Sequence, residues 1–414
     1  MRVLISTFIL FLFSLQTAFG QSENSISFLG EEPTRFVESQ NDFYINSNSI
    51  TNSFVNSFYF GKHIESTQIN DIAEKLKRTN RLGGMTSVGI GYYDSRSKFT
   101  KTHGVSYFVA LNYKEYFHTE FSADLFKIGF QGNSNFNGKQ ADLGNFYYQQ
   151  LIYQQFKVGI LNKISDELSL GIGMSVINGQ KNIQMATNNA YLFTAEDGEY
   201  IDLNADYSFK QTDTLTHINL FANNGLGASG DLYISYKNEK SSFSFNLIDF
   251  GLINWSGTSS NYRIDTLVRF EAYNVSNIFD LQDTVSLSYA PGNISDNLTK
   301  EDNRNYSSYL PSLINFMYER KLGAMDIRVG GSYLYNARHL PQAYLQLNKA
   351  LTKSITVGGI LSYGGYGFLD AGLELNYKIG DMFHLKAGSR HVDGLLFPSK
   401  TSGEGGYVQL RKIF

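Results

Sequence analysis

Gly405-Gly406-Tyr407-Val408-Gln409-Leu410-Arg411-Lys412-Ile413-Phe414 closes the chain. Side chains alternate across a strand, so Val408, Leu410 and Phe414 share one face, and Tyr407, Gln409 and Arg411 the other. The spacing predicts a strand with one apolar and one polar side that stops on an aromatic residue. Lys412 falls on the apolar side, where a long cation can keep its ammonium in a polar layer while its methylenes cover apolar surface.

The same alternation recurs upstream. Leu369, Ala371, Leu373, Leu375, Tyr377 and Ile379 oppose Asp370, Gly372, Glu374, Asn376 and Lys378. Met325, Ile327, Val329, Gly331 and Tyr333 oppose Asp326, Arg328, Gly330 and Ser332. Ile355, Val357, Gly359, Leu361 and Tyr363 oppose Ser354, Thr356, Gly358 and Ser362. Phe383, Leu385 and Ala387 oppose His384, Lys386, Gly388 and Arg390, and Phe117, Phe121, Ala123 and Leu125 oppose His118, Glu120, Ser122 and Asp124. A sandwich strand alternates in this way too, but the clearest of these runs has the roughly 9–11 residues that cross a bilayer when tilted. Composition agrees: 38 Gly, 28 Tyr and 32 Phe against one Trp and five Pro is a β-rich bias that suits aromatic girdles.

Short basic turns recur at alternate strand ends: Tyr113-Lys114-Glu115, Asn162 to Asp166, Tyr236 to Glu239, Glu319 to Gly323, Asn348 to Thr352 and Tyr377 to Asp381. Six such turns join twelve strands. A first strand at about Met85 to Tyr93 and the closing strand bring the total to about 14, an even number. The expected fold is all-β, a transmembrane antiparallel barrel over 84–414. Two large connections, 182–226 and 255–307, are expected to project as hairpins on the long-loop rim.

Before the barrel come two other segments. Met1-Arg2, the apolar run Val3 to Leu15 and the small residues Ala18 and Gly20 read as a signal peptide over 1–20, cut before Gln21. Residues 21–83 are polar, with an apolar patch at Phe54 to Phe60. Thr67 or Asn70 is a candidate helix cap, with Ile69, Ile72, Ala73 and Leu76 at helical spacing, a basic end at Lys77 to Arg81 and a stop at Gly83-Gly84. This segment is expected to form a hatch or a cap at the periplasmic mouth, with Glu319, Asp326, Asp370 and Glu374 as partners for its basic end.

The closing Phe, the signal ending in Gly-Gln, Asp249-Phe250-Gly251-Leu252-Ile253-Asn254-Trp255, Tyr309-Leu310-Pro311 and the Tyr/Asn-Lys turns together resemble an uncharacterised family of Bacteroidota outer-membrane barrels. That group is similar to fourteen-stranded fatty-acid-transporter (FadL) type barrels and to barrel subunits associated with type IX secretion and gliding. The resemblance covers most of the mature chain and implies an outer-membrane location. It also implies that the terminal strand (Tyr407, Val408, Leu410, Phe414) is the signal read by the barrel assembly machinery, and that the short turns face the periplasm.

The inward faces collect Glu319, Asp326, Arg328, Asp370, Glu374, His384, Lys386, Arg390 and Arg411. They read either as a polar path or binding site, or as a ladder of ion pairs that neutralises a packed interior. Leu395, Leu396 and Phe397 form an apolar outer loop that reads as a ligand gate, a partner contact or an infolded plug. His339 and His391 fall in outer loops without ligand spacing. No HExxH, activated Ser or phosphate-binding Gly loop occurs, so neither an enzyme nor a cofactor is expected. A net charge of -3 gives no footprint for nucleic acid. Two functions remain in view: passive uptake of a small, partly apolar ligand through a plugged barrel, or a structural subunit of an envelope machine.

Overall fold

The computed structural model describes residues 35–95, 105–212, 223–256, 259–271 and 305–414. The signal peptide lies outside them, as does most of 255–307. The strands are β1 (Arg35–Ser47), β2 (Thr79–Asp94), β3 (Val105–Ser122), β4 (Lys139–Asp142), β5 (Tyr147–Lys163), β6 (Leu168–Thr194), β7 (Tyr200–Gln211), β8 (Gly225–Lys237), β9 (Ser241–Trp255), β10 (Ser260–Glu271), β11 (Tyr306–Tyr309), β12 (Ser312–Leu322), β13 (Met325–Tyr335), β14 (Gln342–Ala350), β15 (Ile355–Gly364), β16 (Leu369–Ile379), β17 (Phe383–Ser389) and β18 (Gly403–Ile413). β18 pairs with β1 and β1 with β2, so the sheet closes on itself. The result is a closed antiparallel barrel of 14 strands. β11 carries the line of β12 past Leu310-Pro311, a site where Pro withholds a ladder donor, and β4, β7 and β10 stand on the upper half of β6 beyond the wall.

The alternation sorts the chain into two solvents. On β14, Gln342, Tyr344, Gln346 and Asn348 are buried, while Leu345 and Leu347 are exposed. Met174 is 71% exposed, Leu369 67% and Leu373 59%. Large apolar side chains left open in register around a closed sheet form the lipid-facing band of a membrane barrel. The rim that holds Ile413 also holds Phe36 and five of the six expected short turns; it is called here the terminal rim, and the opposite one the far rim.

Four expectations are corrected. Lys114 is not in a turn but lies inside β3, which runs from Val105 to Ser122. Fusing the two strands expected around Lys114 into β3 removes one from the count, and β1, which the sequence reading did not include, restores it to 14. Among the described residues the barrel wall already includes β1 at Arg35–Ser47, ahead of the start expected at 84. β1 escaped the pattern because its lipid-facing side carries Ser39 and Asn41 between Val37 and Phe43, so both faces read as polar. Gly83 and Gly84 belong to β2 and stop no helix. The strand read over Phe117 to Leu125 ends at Ser122, whose hydroxyl accepts the Leu125 N–H at 3.0 Å and starts a helix.

Three helices gather at the far rim: α1 (Asn52–Tyr59), α2 (Ser66–Lys75) and α3 (Ala123–Gln131). A fourth, α4 (Val392–Leu396), caps the gap between β17 and β18. The cap of α2 is Glu65, in a box with Gln68 rather than at Thr67 or Asn70. Ile50, Phe54, Ile72 and Phe126 form the helices' own core, with Phe121 from the outer face of β3 packed against it. The helices of the segment expected as a hatch or a periplasmic cap therefore sit at the rim opposite the terminal one. Arg81 of its basic end pairs with Glu120 at 3.1 Å, not with the lumen acids proposed for it.

Candidate functional site: the filled lumen

The lumen holds two apolar layers with an ionic layer between them. Near the terminal rim, Phe36, Tyr93, Phe108, Leu161, Tyr233 and Ile248 pack together. Toward the far rim, Tyr116, Leu151, Tyr153, Ile177, Ile253 and Trp255 form a second cluster, and the Trp255 indole N–H donates to Ser308 Oγ at 2.8 Å.

The ionic layer is built by β3, β5, β8 and β9. Asp249 has φ 59°, and the β8–β9 register shifts between Gly230 and Leu232. This bulge turns both Ile248 and Asp249 inward. Lys114 Nζ pairs with Asp249 Oδ2, and Lys157 Nζ reaches Asp249 Oδ1 at 3.0 Å and Asp231 Oδ2 at 2.5 Å. Gln155 Nε2 donates to Asp249 Oδ1 at 2.6 Å, the Asp249 backbone N–H to Asp231 Oδ1 at 2.8 Å, and Tyr233 OH to Asp231 Oδ2 at 2.7 Å. Two buried cations and two buried carboxylates balance, with hydrogen bonds on the remaining lone pairs, which is the condition under which buried ions are tolerated. None of these residues was singled out from sequence as a lumen group. The signal was available: outward residues run Phe243, Phe245, Leu247 and then Phe250, Leu252, so the period-2 pattern slips by one at Asp249.

Of the residues read from sequence as lumen groups, Asp370, Glu374, Arg390 and Arg411 are buried, and the structure distributes the set over separate groups rather than one path. Glu374 is the hub of the first. It meets Lys386 at 3.1 Å and Arg328 at 3.8 Å, and accepts hydrogen bonds from Gln346, Asn376 and the Tyr407 hydroxyl. Arg328 also pairs with Glu319 at 2.5 Å. Arg411 pairs with Glu38 at 2.8 Å and lies over the Phe36 ring. Asp370 accepts from Asn46 at 3.0 Å and lies 3.0 Å from His391 Nδ1. Arg390 is buried over the Tyr344 ring. Asp326 stands opposite Lys321 and Asn348, and His384 opposite Arg411 and Lys378. In the closing strand, Tyr407 is buried while Leu410 and Phe414 are exposed and Val408 is half-buried on their face; Lys412 sits between the Phe383 and Phe414 rings.

The far mouth is stopped by the chain itself. Residues 336–341, between β13 and β14, fold inward with Asn336 and Arg338 in the left-handed region (φ 62° and 51°). Ala337 is 1% exposed, and its carbonyl accepts the Tyr366 hydroxyl at 2.6 Å. His339 lies edge-on to the Tyr366 ring, and Arg338 covers Tyr147, which stacks on His118. Burial pushes His339 down to about 4, and nearby Arg390 adds to the push. His339, taken from sequence as an outer-loop residue without a role, is therefore part of a plug. The apolar loop read as gate, contact or plug is not folded in: Leu395, Leu396 and Phe397 are exposed.

Two hollows remain. A cavity of about 110 Å³ lies in the lumen between Phe36, Tyr93, Phe108 and Ile248, with Lys114 and Lys157 at its edge. A groove of about 630 Å³ indents the outer wall along Val88, Ile90, Leu111, Phe156, Val176 and Leu226. The two share the wall at Gly89, Ile90 and Asn112. No group of three acidic or His side chains that could hold a metal occurs among the described residues.

Fold and lumen together define a membrane-spanning β-barrel whose interior, among the described residues, is packed with its own side chains. The chain belongs to the family described as "Family of unknown function (DUF5723)", which matches residues 36–386. No curated protein matches it in sequence. Solved structures similar to it include a "TodX deltaS2S3 mutant monoaromatic hydrocarbon channel", at 6% identity and TM-score 0.46, covering 96% of this chain and 95% of that one. The Pseudomonas putida toluene transporter TodX is similar at 6% identity and TM-score 0.43, covering 96% and 94%. A Pseudomonas aeruginosa FadL homologue is similar at 8% identity and TM-score 0.43, covering 92% and 90%.

Proposed function

We propose that this protein is an outer-membrane barrel that passes a small, partly apolar ligand through a normally plugged lumen. The observation that carries this reading is the lumen cavity, walled by aromatic rings and Ile248 and edged by the charge-balanced Lys–Asp layer. A mixed surface of that size, with aromatic rings beside Gln40, Ser87, Asn112, Glu38 and the two Asp-paired lysines, suits a compact, partly apolar ligand. The names of the similar channels point the same way. Gly91 lines the cavity, and a Cβ there would meet nothing nearer than 3.5 Å. Gly91→Leu should therefore fill the space, stop uptake of small aromatic solutes into proteoliposomes, and leave heat-modifiable gel migration unchanged. Undiminished uptake would remove the cavity from the route.

A second reading, a barrel subunit of an envelope machine such as a secretion or gliding complex, is favoured by the two packed apolar layers that fill the lumen. Under that reading no solute uptake occurs with or without Gly91→Leu, and the barrel co-purifies with envelope partners from its native membrane.

A further inference from the structure

The far rim carries an apolar surface that the uptake reading does not use. α1 begins inside the rim, where the Asn52 backbone N–H donates to Thr401 O at 2.9 Å and its side chain to Gly403 O at 2.7 Å. One turn later Asn56 Nδ2 donates to Glu404 Oε2 at 3.2 Å. Glu404 lies on the lipid side of β18, in phase with Val408 and Leu410. The helix thus passes from the mouth of the barrel to its outer flank. Its last turn then presents Phe58, Tyr59 and Phe60, which are 66%, 79% and 60% exposed.

The helix is not merely unpartnered. Phe54 is 5% exposed and packs on Phe126 and Phe130, which fixes the opposite face and leaves the aromatic tip pointing away from protein. Gly61, at φ 61°, turns the chain directly after the tip, and Lys62 follows with its ammonium 5.8 Å from the Phe60 centroid. The neighbouring α4 repeats the arrangement with Leu395, Leu396 and Phe397 exposed, and the Ser53 N–H, donated to Pro398 O at 2.9 Å, ties the two pieces together.

We infer that this surface docks on the lipid layer itself, at the boundary between headgroups and acyl chains on the far side of the membrane. Three features identify lipid as the occupant. The patch is continuous with the lipid-facing band through Glu404 and β18. Phe and Tyr next to Lys is the residue chemistry favoured at the membrane–water boundary, where rings sit among headgroups and the ammonium meets phosphate. An exposed aromatic cluster of this kind is otherwise rare on a surface that faces water.

The chain has no Cys, so one introduced Cys carries a unique spin label. Full-length protein is reconstituted in phosphatidylcholine–phosphatidylglycerol vesicles with the label at Tyr59→Cys, Met174→Cys or Glu74→Cys. Met174 faces lipid, and Glu74 is an exposed position on α2. Collision with dissolved oxygen and with a water-soluble nickel chelate then reports depth, and gel migration confirms that each variant is folded. The expected result is that Tyr59→Cys resembles Met174→Cys, with oxygen contact exceeding nickel contact several-fold, while Glu74→Cys shows the reverse. Nickel contact at Tyr59→Cys equal to that at Glu74→Cys would overturn the inference. Shielding from both reagents would also overturn it, and would indicate a protein occupant instead.

Discussion

Replacing Asp249 by Asn tests the ionic layer most sharply. Asn tolerates the left-handed backbone that Asp249 adopts, so the bulge itself is kept. What changes is charge: Lys114 and Lys157 are left facing Asp231 alone, one net positive charge inside a packed lumen. Removing one partner of a buried pair costs about 3–5 kcal/mol, because the other ion stays desolvated without compensation. The assay is a urea titration of the folded fraction in lipid, read by heat-modifiable gel migration. Adding Lys114→Met to Asp249→Asn restores neutrality through the remaining Lys157–Asp231 pair, and should return at least about half of the lost stability. A single variant within about 1 kcal/mol of wild type, or a double variant no better than the single one, would refute the claim that charge balance holds this layer.

Leu373→Arg puts a cation on the lipid face of β16 and should impair assembly by about 2–4 kcal/mol, measured as folded fraction after refolding into vesicles. Gly359→Leu should be tolerated in the same assay, since nothing lies within 4 Å of a Cβ there, whereas Gly330→Leu should fail because a Cβ there would run into the buried Tyr344 ring. The plug should weaken in acid. His339 is buried beside Tyr366, with Arg390 nearby and His118 in the same cluster, and its folded value of about 4 lies below the ordinary 6.5. The contribution of neutral His339 is therefore complete above about pH 6.5 and is lost as pH falls through about 4, a span on the order of 3 kcal/mol. The urea midpoint of the folded fraction should fall between those values, and His339→Gln should flatten that fall.

Much of the barrel was legible because lipid enforces alternation. On β16, outward Leu369, Leu373 and Leu375 must be apolar while inward Asp370 and Glu374 are free to be charged, so one period-2 scan finds register and facing together. The scan fails where that pressure is relaxed. β1 carries Ser39 and Asn41 outward, so its alternation is buried in polar composition and it was taken for part of a hatch. Lys114-Glu115 has turn composition, yet Lys114 is drawn into β3 by a carboxylate on β9, more than a hundred residues later in the chain. The grouping of the charges was not legible, because strand order alone does not say which of Glu374, Asp370 or Glu38 a given Arg reaches. The plug was invisible for the same reason: His339 closes the mouth through Tyr366 and Arg390, contacts set by tertiary packing and not by spacing.

The central claim, a membrane barrel closed from within, is tested most directly by the ion conductance of the refolded full-length protein in planar bilayers at neutral pH. A lumen filled by Tyr116, Tyr153 and Trp255 and stopped by 336–341 predicts a silent wild type, and a barrel that stays silent when 336–341 alone are replaced by a short Gly-Ser turn between Tyr335 and Gln342, because the packed layers remain. Steady, porin-sized steps from the unmodified protein would contradict it.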